Sequence, residues 1–171
     1  MSNREPYVQS IASRDLGRMD RICAGKKELC KLGEVLETEE RIEVLLGGQL
    51  GRGLSKENGA IAITERRVLF ASRNESQDWP FTAISYAEHR GSWPSPELKL
   101  FLADGGEITM TNVTPADRVE QAAGIVTERA AGSRQTETAG PARLTSRRQH
   151  LRPAPPAGCR FQRLGRLPRP I

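Results

Sequence analysis

Between residues 8 and 32, apolar side chains recur at three- and four-residue steps: Val8, Ile11, Ala12, Leu16, Met19, Ile22, Cys23, Leu29, Cys30 and Leu32, with charges between them. That is the period of a helix with one buried stripe. Gly17 and Gly25 divide the segment into two short helices, because glycine is a poor helix former. Gly33 suits the stop of the second. From residue 39 onward the period shortens to two, as in strands whose successive side chains face opposite sides. Residues 41–47, RIEVLLG, make the first strand, with Ile42, Val44 and Leu46 on one face and Glu39, Arg41 and Glu43 on the exposed one. A glycine-rich loop, GQLGRGLSKENG, follows, and then strands at 60–64, 68–72, 79–81, 84–89, 98–103 and 107–112. Each is bounded by turn chemistry. Asp104-Gly105-Gly106 is the clearest hairpin, since Asp-Gly accepts the positive φ angles of a tight reversal.

Thr114-Pro115-Ala116-Asp117 reads as a helix start, with Thr114 as N-cap, Pro115 at the first helical position and Asp117 at the positive end of the dipole. Val119, Ala122, Ala123, Val126 and Ala130 form its apolar stripe, with Ile125 beside it. The predicted fold is mainly β: a seven-stranded antiparallel bent sandwich or partly open barrel, capped by this C-terminal helix and preceded by a helical segment. The charged stretch Thr64-Glu65-Arg66-Arg67 lies between two apolar runs and is the turn of a hairpin. In this reading Ile61, Ile63, Val68 and Phe70 point inward, Thr64 hydrogen-bonds the turn backbone, and the charges stay in water.

Charge separates the chain into unlike parts. Residues 131–171 hold nine Arg, no Lys and one acid, a net of +8, whereas residues 1–130 hold 17 basic and 20 acidic residues, a net of −3. The basic segment has six Pro and one aromatic, with no helical or strand period, and so is predicted to be a disordered tail. The expected organisation is an N-terminal helical segment over 1–33, a sandwich over 34–131 and an Arg- and Pro-rich tail over 132–171. No apolar run approaches a membrane span. Three cysteines, Cys23, Cys30 and Cys159, are too few for a disulfide framework and argue for a reducing, cytoplasmic setting.

Catalytic and metal signatures are weak. Cys23 and Cys30 share a helical face but lack the further ligands of a zinc shell, and both are read as buried or half-buried hydrophobes. His89 and His150, the only histidines, lie in different regions, and His89 has no partnered Ser or Cys motif. Glu34, Glu37, Glu39, Glu40 and Glu43 read as solvated carboxylates with ordinary pKa values. The sequence therefore implies no enzyme activity, no cofactor and no metal.

Several segments together resemble the bacterial pleckstrin-homology-like (PH-like) domain of the short YokE-like type, related to PH and GRAM domains. They are LETEE before the first strand, GAIAITERRVLF at residues 59–70, WPFTAIS at residues 79–85, and the last two strands around Leu98–Phe101 and Ile108–Val113. The resemblance covers about residues 28–130. It implies a strongly bent seven-stranded sandwich closed at one end by the C-terminal helix, a binding scaffold and not an enzyme fold. In eukaryotic PH relatives, basic residues around the first inter-strand loop bind phosphoinositides. Here that loop offers only Arg52 and Lys56, offset by Glu57.

Three binding readings follow. The first is a protein-binding or self-associating module using His89, Arg90 and Trp93, the last in the loop Arg90-Gly91-Ser92-Trp93-Pro94 where an aromatic can anchor a partner. Trp79, by contrast, reads as core. The second is a peripheral anionic-lipid binder at the membrane surface, using Arg52, Lys56 and the tail arginines Arg143, Arg147, Arg148 and Arg152. The third, nucleic-acid binding, rests on the tail alone, which lacks stacking aromatics and any module signature. No small-molecule substrate is indicated.

Overall fold

The structure is a computed structural model and describes residues 4–17, 24–52, 55–91 and 94–138. Helices α1 (Glu5–Asp15) and α2 (Lys26–Val35) precede seven strands: β1 (Ile42–Arg52), β2 (Ser55–Thr64), β3 (Arg67–Ser72), β4 (Ser76–Pro80), β5 (Ile84–Arg90), β6 (Glu97–Leu102) and β7 (Glu107–Thr114). Helix α3 (Val119–Thr138) closes the described chain and continues into the first residues of the Arg- and Pro-rich segment. All strand pairings are antiparallel, in the order β4-β3-β2-β1-β7-β6-β5. The two edges, β4 and β5, are consecutive in sequence and joined by one 3-10 turn, Phe81–Ala83. Trp79, Phe81 and Ile84 from this junction enter the same core as Leu46 and Met110, so the sheet curls into a half-barrel. The expected mainly-β fold, with its N-terminal helices and C-terminal cap, is the observed one.

Two cores explain the near-continuous apolar character of β1 to β3. Inside the curl, Val44, Leu46, Ile61, Ile63, Val68 and Phe70 pack with Leu98, Leu100, Met110 and the α3 stripe Val119, Ala122, Ala123, Val126 and Ala130. Outside it, Leu45, Ala60, Ala62, Leu69 and Ala71 pack under α1 and α2, against Val8, Ile11, Leu29 and Leu32. A strand buried on both faces loses the polar half of its alternation. Trp79 lies in the core as its sequence context implied.

Several expectations are corrected. The stretch read as a loop, 48–59, is instead the paired continuation of β1 and β2, with Gly48 opposite Gly59 and Gln49 opposite Asn58. Its glycines serve close packing. A Cβ on Gly59 would lie 2.3 Å from Phe70 Cζ, and one on Gly48 would lie 2.7 Å from Ile61 Cδ1. Ile42 belongs to the outer core and not to the face of Val44 and Leu46, because the register shifts between Ile42 and Val44 and reverses the alternation. Gly33 does not end α2, which runs on to Val35. The N-terminal chain crosses Gly33 so closely that a Cβ would lie 2.8 Å from the Glu5 nitrogen. Thr114 is the last residue of β7 and not a helix cap. Pro115 precedes a 3-10 turn, Ala116–Arg118, and α3 begins after it.

Candidate functional site

The charged turn between β2 and β3 is a structural knot. Thr64 Oγ1 accepts the backbone N–H groups of Arg66 and Arg67, each at 3.1 Å, as the sequence implied. It also donates to Glu40 Oε1 at 2.8 Å. Arg67 grips Glu40 with two bonds, Nε to Oε1 at 3.0 Å and Nη2 to Oε2 at 2.8 Å, and the Glu37 N–H adds a fourth donor at 3.1 Å. Glu40 is fully buried, and the Arg67 side chain is only 19% exposed. The expectation that these charges stay in water therefore fails for this pair, while Arg66 remains exposed and meets Glu37 at 2.5 Å. Burial pushes the Glu40 carboxyl up, but hydrogen bonds from Arg67, Thr64 and the Glu37 backbone outweigh it and hold the group below the ordinary carboxylate range. Arg67 is correspondingly raised, chiefly by its hydrogen bonds to Glu40.

The other acids of that set do not form the expected strand face. Glu39 and Arg41 precede β1, and Glu43 is half-buried and paired with Arg129 of α3. Nearby, the Arg4 guanidinium donates to the carbonyls of Glu37 and Glu40 and lies 4.3 Å over the Tyr7 ring, whose hydroxyl accepts the Ile42 N–H. Both carboxylate oxygens of Glu40 are matched by protein donors, so the pair holds fold elements together.

Arg52 and Lys56 are brought together by backbone pairing, Arg52 opposite Ser55 and Gly51 opposite Lys56. Lys56 is exposed, and its Nζ donates to Thr111 Oγ1 at 3.2 Å. It borders a depression that also holds Glu57 and Glu75. His89 is exposed beside Glu120 and Glu128 of α3, while Arg90, the next residue, pairs with Glu88 at 2.9 Å. Trp93, Cys23, His150 and the tail residues Arg143, Arg147, Arg148 and Arg152 lie outside the described residues. Cys30 is a half-buried free thiol that donates to Glu5 Oε1 at 2.9 Å. That bond, with burial adding to it, raises the thiol above its ordinary pKa and suppresses thiolate chemistry. Among the described residues no group of three or more His, Cys, Asp and Glu could hold a metal ion.

Sequence reasoning did not find the outer face of β5 to β7. Whereas α1 and α2 cover the outer face of β1 to β3, no side chain of β5 to β7 belongs to that outer core. Tyr86 lies on this face, which no described helix covers. It is 40% exposed, the one large apolar side chain so exposed among the described residues, and it stacks on Phe101 at 4.3 Å. Strict alternation from Ile84 would put Tyr86 inside. A register irregularity between Ile84 and Tyr86 turns it out and Ala87 in, and local sequence carries no signal for such a bulge. Around it, Glu88 faces Lys99 and Arg90 faces Glu97 across the β5–β6 ladder, and Lys99 meets Glu107 at 2.6 Å.

No family model matches the chain, and no curated protein matches it. Among solved structures, it is similar to the crystal structure of the C-terminal domain of an unknown protein from Leishmania infantum, at 15% identity and a TM-score of 0.44, over 54% of this chain and 85% of that one.

Proposed function

We propose that the chain is a non-enzymatic, PH-like binding module that makes protein–protein contacts through the bare outer face of β5 to β7. The carrying observation is Tyr86, exposed and stacked on Phe101 where the equivalent face of β1 to β3 is covered. Aromatic side chains at the centre of a face, rimmed by charges, supply most of the affinity in protein interfaces. Both signs of charge occur on the face, Glu88, Glu97 and Glu107 with Arg90 and Lys99, so a second copy related by a two-fold axis can set opposite charges against each other. A second copy of the chain is therefore the first partner to test. The PH-like assignment is supported by the residues quoted above and by the curled seven-stranded sheet with its C-terminal helix. A cytoplasmic setting is proposed on the sparse cysteines and the free Cys30 thiol.

Sedimentation velocity across a concentration series tests the proposal. The full chain is expected to self-associate, and Tyr86→Ala to weaken association roughly tenfold, the loss of about 1.4 kcal/mol typical of a buried aromatic anchor. A monomer at all concentrations, or association unchanged by the substitution, overturns the second-copy reading. The anionic-lipid alternative draws no support from Lys56, whose surroundings are acidic. No described helix is long and apolar enough to cross a membrane. Co-sedimentation with phosphatidylserine vesicles that is lost in Lys56→Glu would favour that alternative instead.

A further inference from the structure

The outer face of the β5–β6 ladder carries an ordered pattern. Ala87, Leu98 and Leu100 belong to the inner core, so Tyr86, Glu88 and Arg90 of β5 and Phe101, Lys99 and Glu97 of β6 point outward. The register sets them in three cross-strand rows: Tyr86 beside Phe101, Glu88 beside Lys99 and Arg90 beside Glu97. Charges therefore alternate both along each strand and across the pair, next to one aromatic row. Arg90 meets Glu88 at 2.9 Å along β5, and Lys99 meets Glu107 of β7 at 2.6 Å.

Such a checkerboard restricts how a second copy can lie on it. When two sheets pack face to face with their strands nearly aligned, a two-fold axis relating them lies in the plane between them. An axis along β6 would set Lys99 against itself, and one crossing the strands at Glu88 and Lys99 would set each of them against itself. An axis crossing the strands between the two charged rows matches Glu88 with Arg90 and Lys99 with Glu97, but it puts Tyr86 opposite the end of the hairpin. An axis running between β5 and β6, parallel to them, matches all three rows. It sets Tyr86 against Phe101, Glu88 against Lys99 and Arg90 against Glu97 of the second copy, and each contact is made twice.

We infer that the chain pairs with a second copy about this axis, with Glu88 and Lys99, and Arg90 and Glu97, as the residues that select the partner and its register. The inference rests on the second-copy reading of the Tyr86 face and adds the pairing. Exposed ion pairs contribute little affinity, so the aromatic row supplies it, while the charges exclude registers that oppose like signs.

Charge-reversal variants of the full chain, compared alone and mixed by sedimentation velocity, test the pairing. Glu88→Lys and Lys99→Glu are each expected to weaken self-association at least about tenfold, because each opposes like charges twice. An equimolar mixture of the two is expected to associate to within about threefold of wild type, since every charged row is again opposite in sign. Arg90→Glu and Glu97→Lys form a second such couple, which serves if Lys99→Glu fails to fold. Glu88→Lys mixed with Arg90→Glu is expected to stay weak. Rescue in that mixture means that the axis crosses the strands, and it overturns the inference. Failure of both complementary mixtures, with a wild type that associates and is weakened by Tyr86→Ala, overturns the inference and leaves the second-copy reading standing. A wild type that stays monomeric overturns both.

Discussion

A carboxylate with no solvent contact survives at position 40 because four donors converge on it: two from Arg67, one from Thr64 and one from the Glu37 backbone. The pair ties the connector before β1 to the β2–β3 turn, 27 residues apart in sequence. Such a pair adds little compared with a well-packed apolar core, yet removing one member leaves the other stranded. Glu40→Gln is therefore expected to cost about 3 kcal/mol in urea denaturation, whereas Glu39→Gln, exposed in the same connector, should stay within about 0.5 kcal/mol. Comparable losses in both variants would show that the buried pairing is not what stabilises the connector. Nothing local distinguishes Glu40 from Glu39 in LETEE. What separates them is a contact with Arg67 that exists only after folding.

At the scale of elements, the half-barrel must manage two edges. Strand β4 is short, and Asp78 and Pro80 blunt it, one by charge and one by a missing donor. Strand β5 is handled differently, because α3 runs along it. Thr127 Oγ1 accepts the Ala87 N–H at 3.0 Å and donates to the Ala87 carbonyl at 3.1 Å, and Arg134 donates to the Ser85 carbonyl at 2.8 Å. Side chains of a helix thus take the place of a neighbouring strand. Thr127→Val keeps the shape but leaves Ala87 without either partner. It is expected to destabilise the protein by about 1 to 3 kcal/mol in thermal melts and to promote edge-to-edge aggregation on warming. Wild-type melting and solubility would show that water satisfies this edge unaided. The stripe that marked α3 in the sequence is spent on the inner core, and that of α1 and α2 on the outer one. Neither is free for a partner, which directs attention to the uncovered sheet face.

For the whole molecule, two buried acids set the response to pH. Glu40 is one. Asp15, at the end of α1, is the other, with its side chain 1% exposed and held by Arg14 at 2.6 Å and by Arg118 at 3.1 Å. Burial raises the Asp15 carboxyl, but the hydrogen bonds from Arg14 and Arg118 prevail and lower it overall. A folded-state pKa below the unfolded one contributes stability that is fully present above the unfolded value, about 4, and is lost as pH falls through the folded one. Unfolding free energy is thus expected to be flat from neutral pH to about 5 and to drop below that, with a shallower drop in Glu40→Gln. Denaturation midpoints measured across that range check it, and a decline setting in near neutrality would contradict it.

The presence of the strands, most hairpin turns and the stripes of the helices are legible in the sequence, because each depends on residues close along the chain. From them follow the strand count, the antiparallel architecture and the capping helix, but not the pairing of β1 with β7. Gly48 and Gly59 look like loop residues in the sequence but are paired strand, since the same residue that permits a turn also permits a phenyl ring or an isoleucine methyl to lie against the backbone. Only the tertiary structure decided which face each strand buries, because single-residue irregularities at Ile42/Val44 and Ile84/Tyr86 reverse the alternation without changing composition. Folding likewise buried Glu40, exposed Tyr86 and left Glu57 Oε2 without a donor. Local pattern determines which elements form. Burial and the partners of charged groups are set by residues distant in sequence, and they come into being only when the sheet curls.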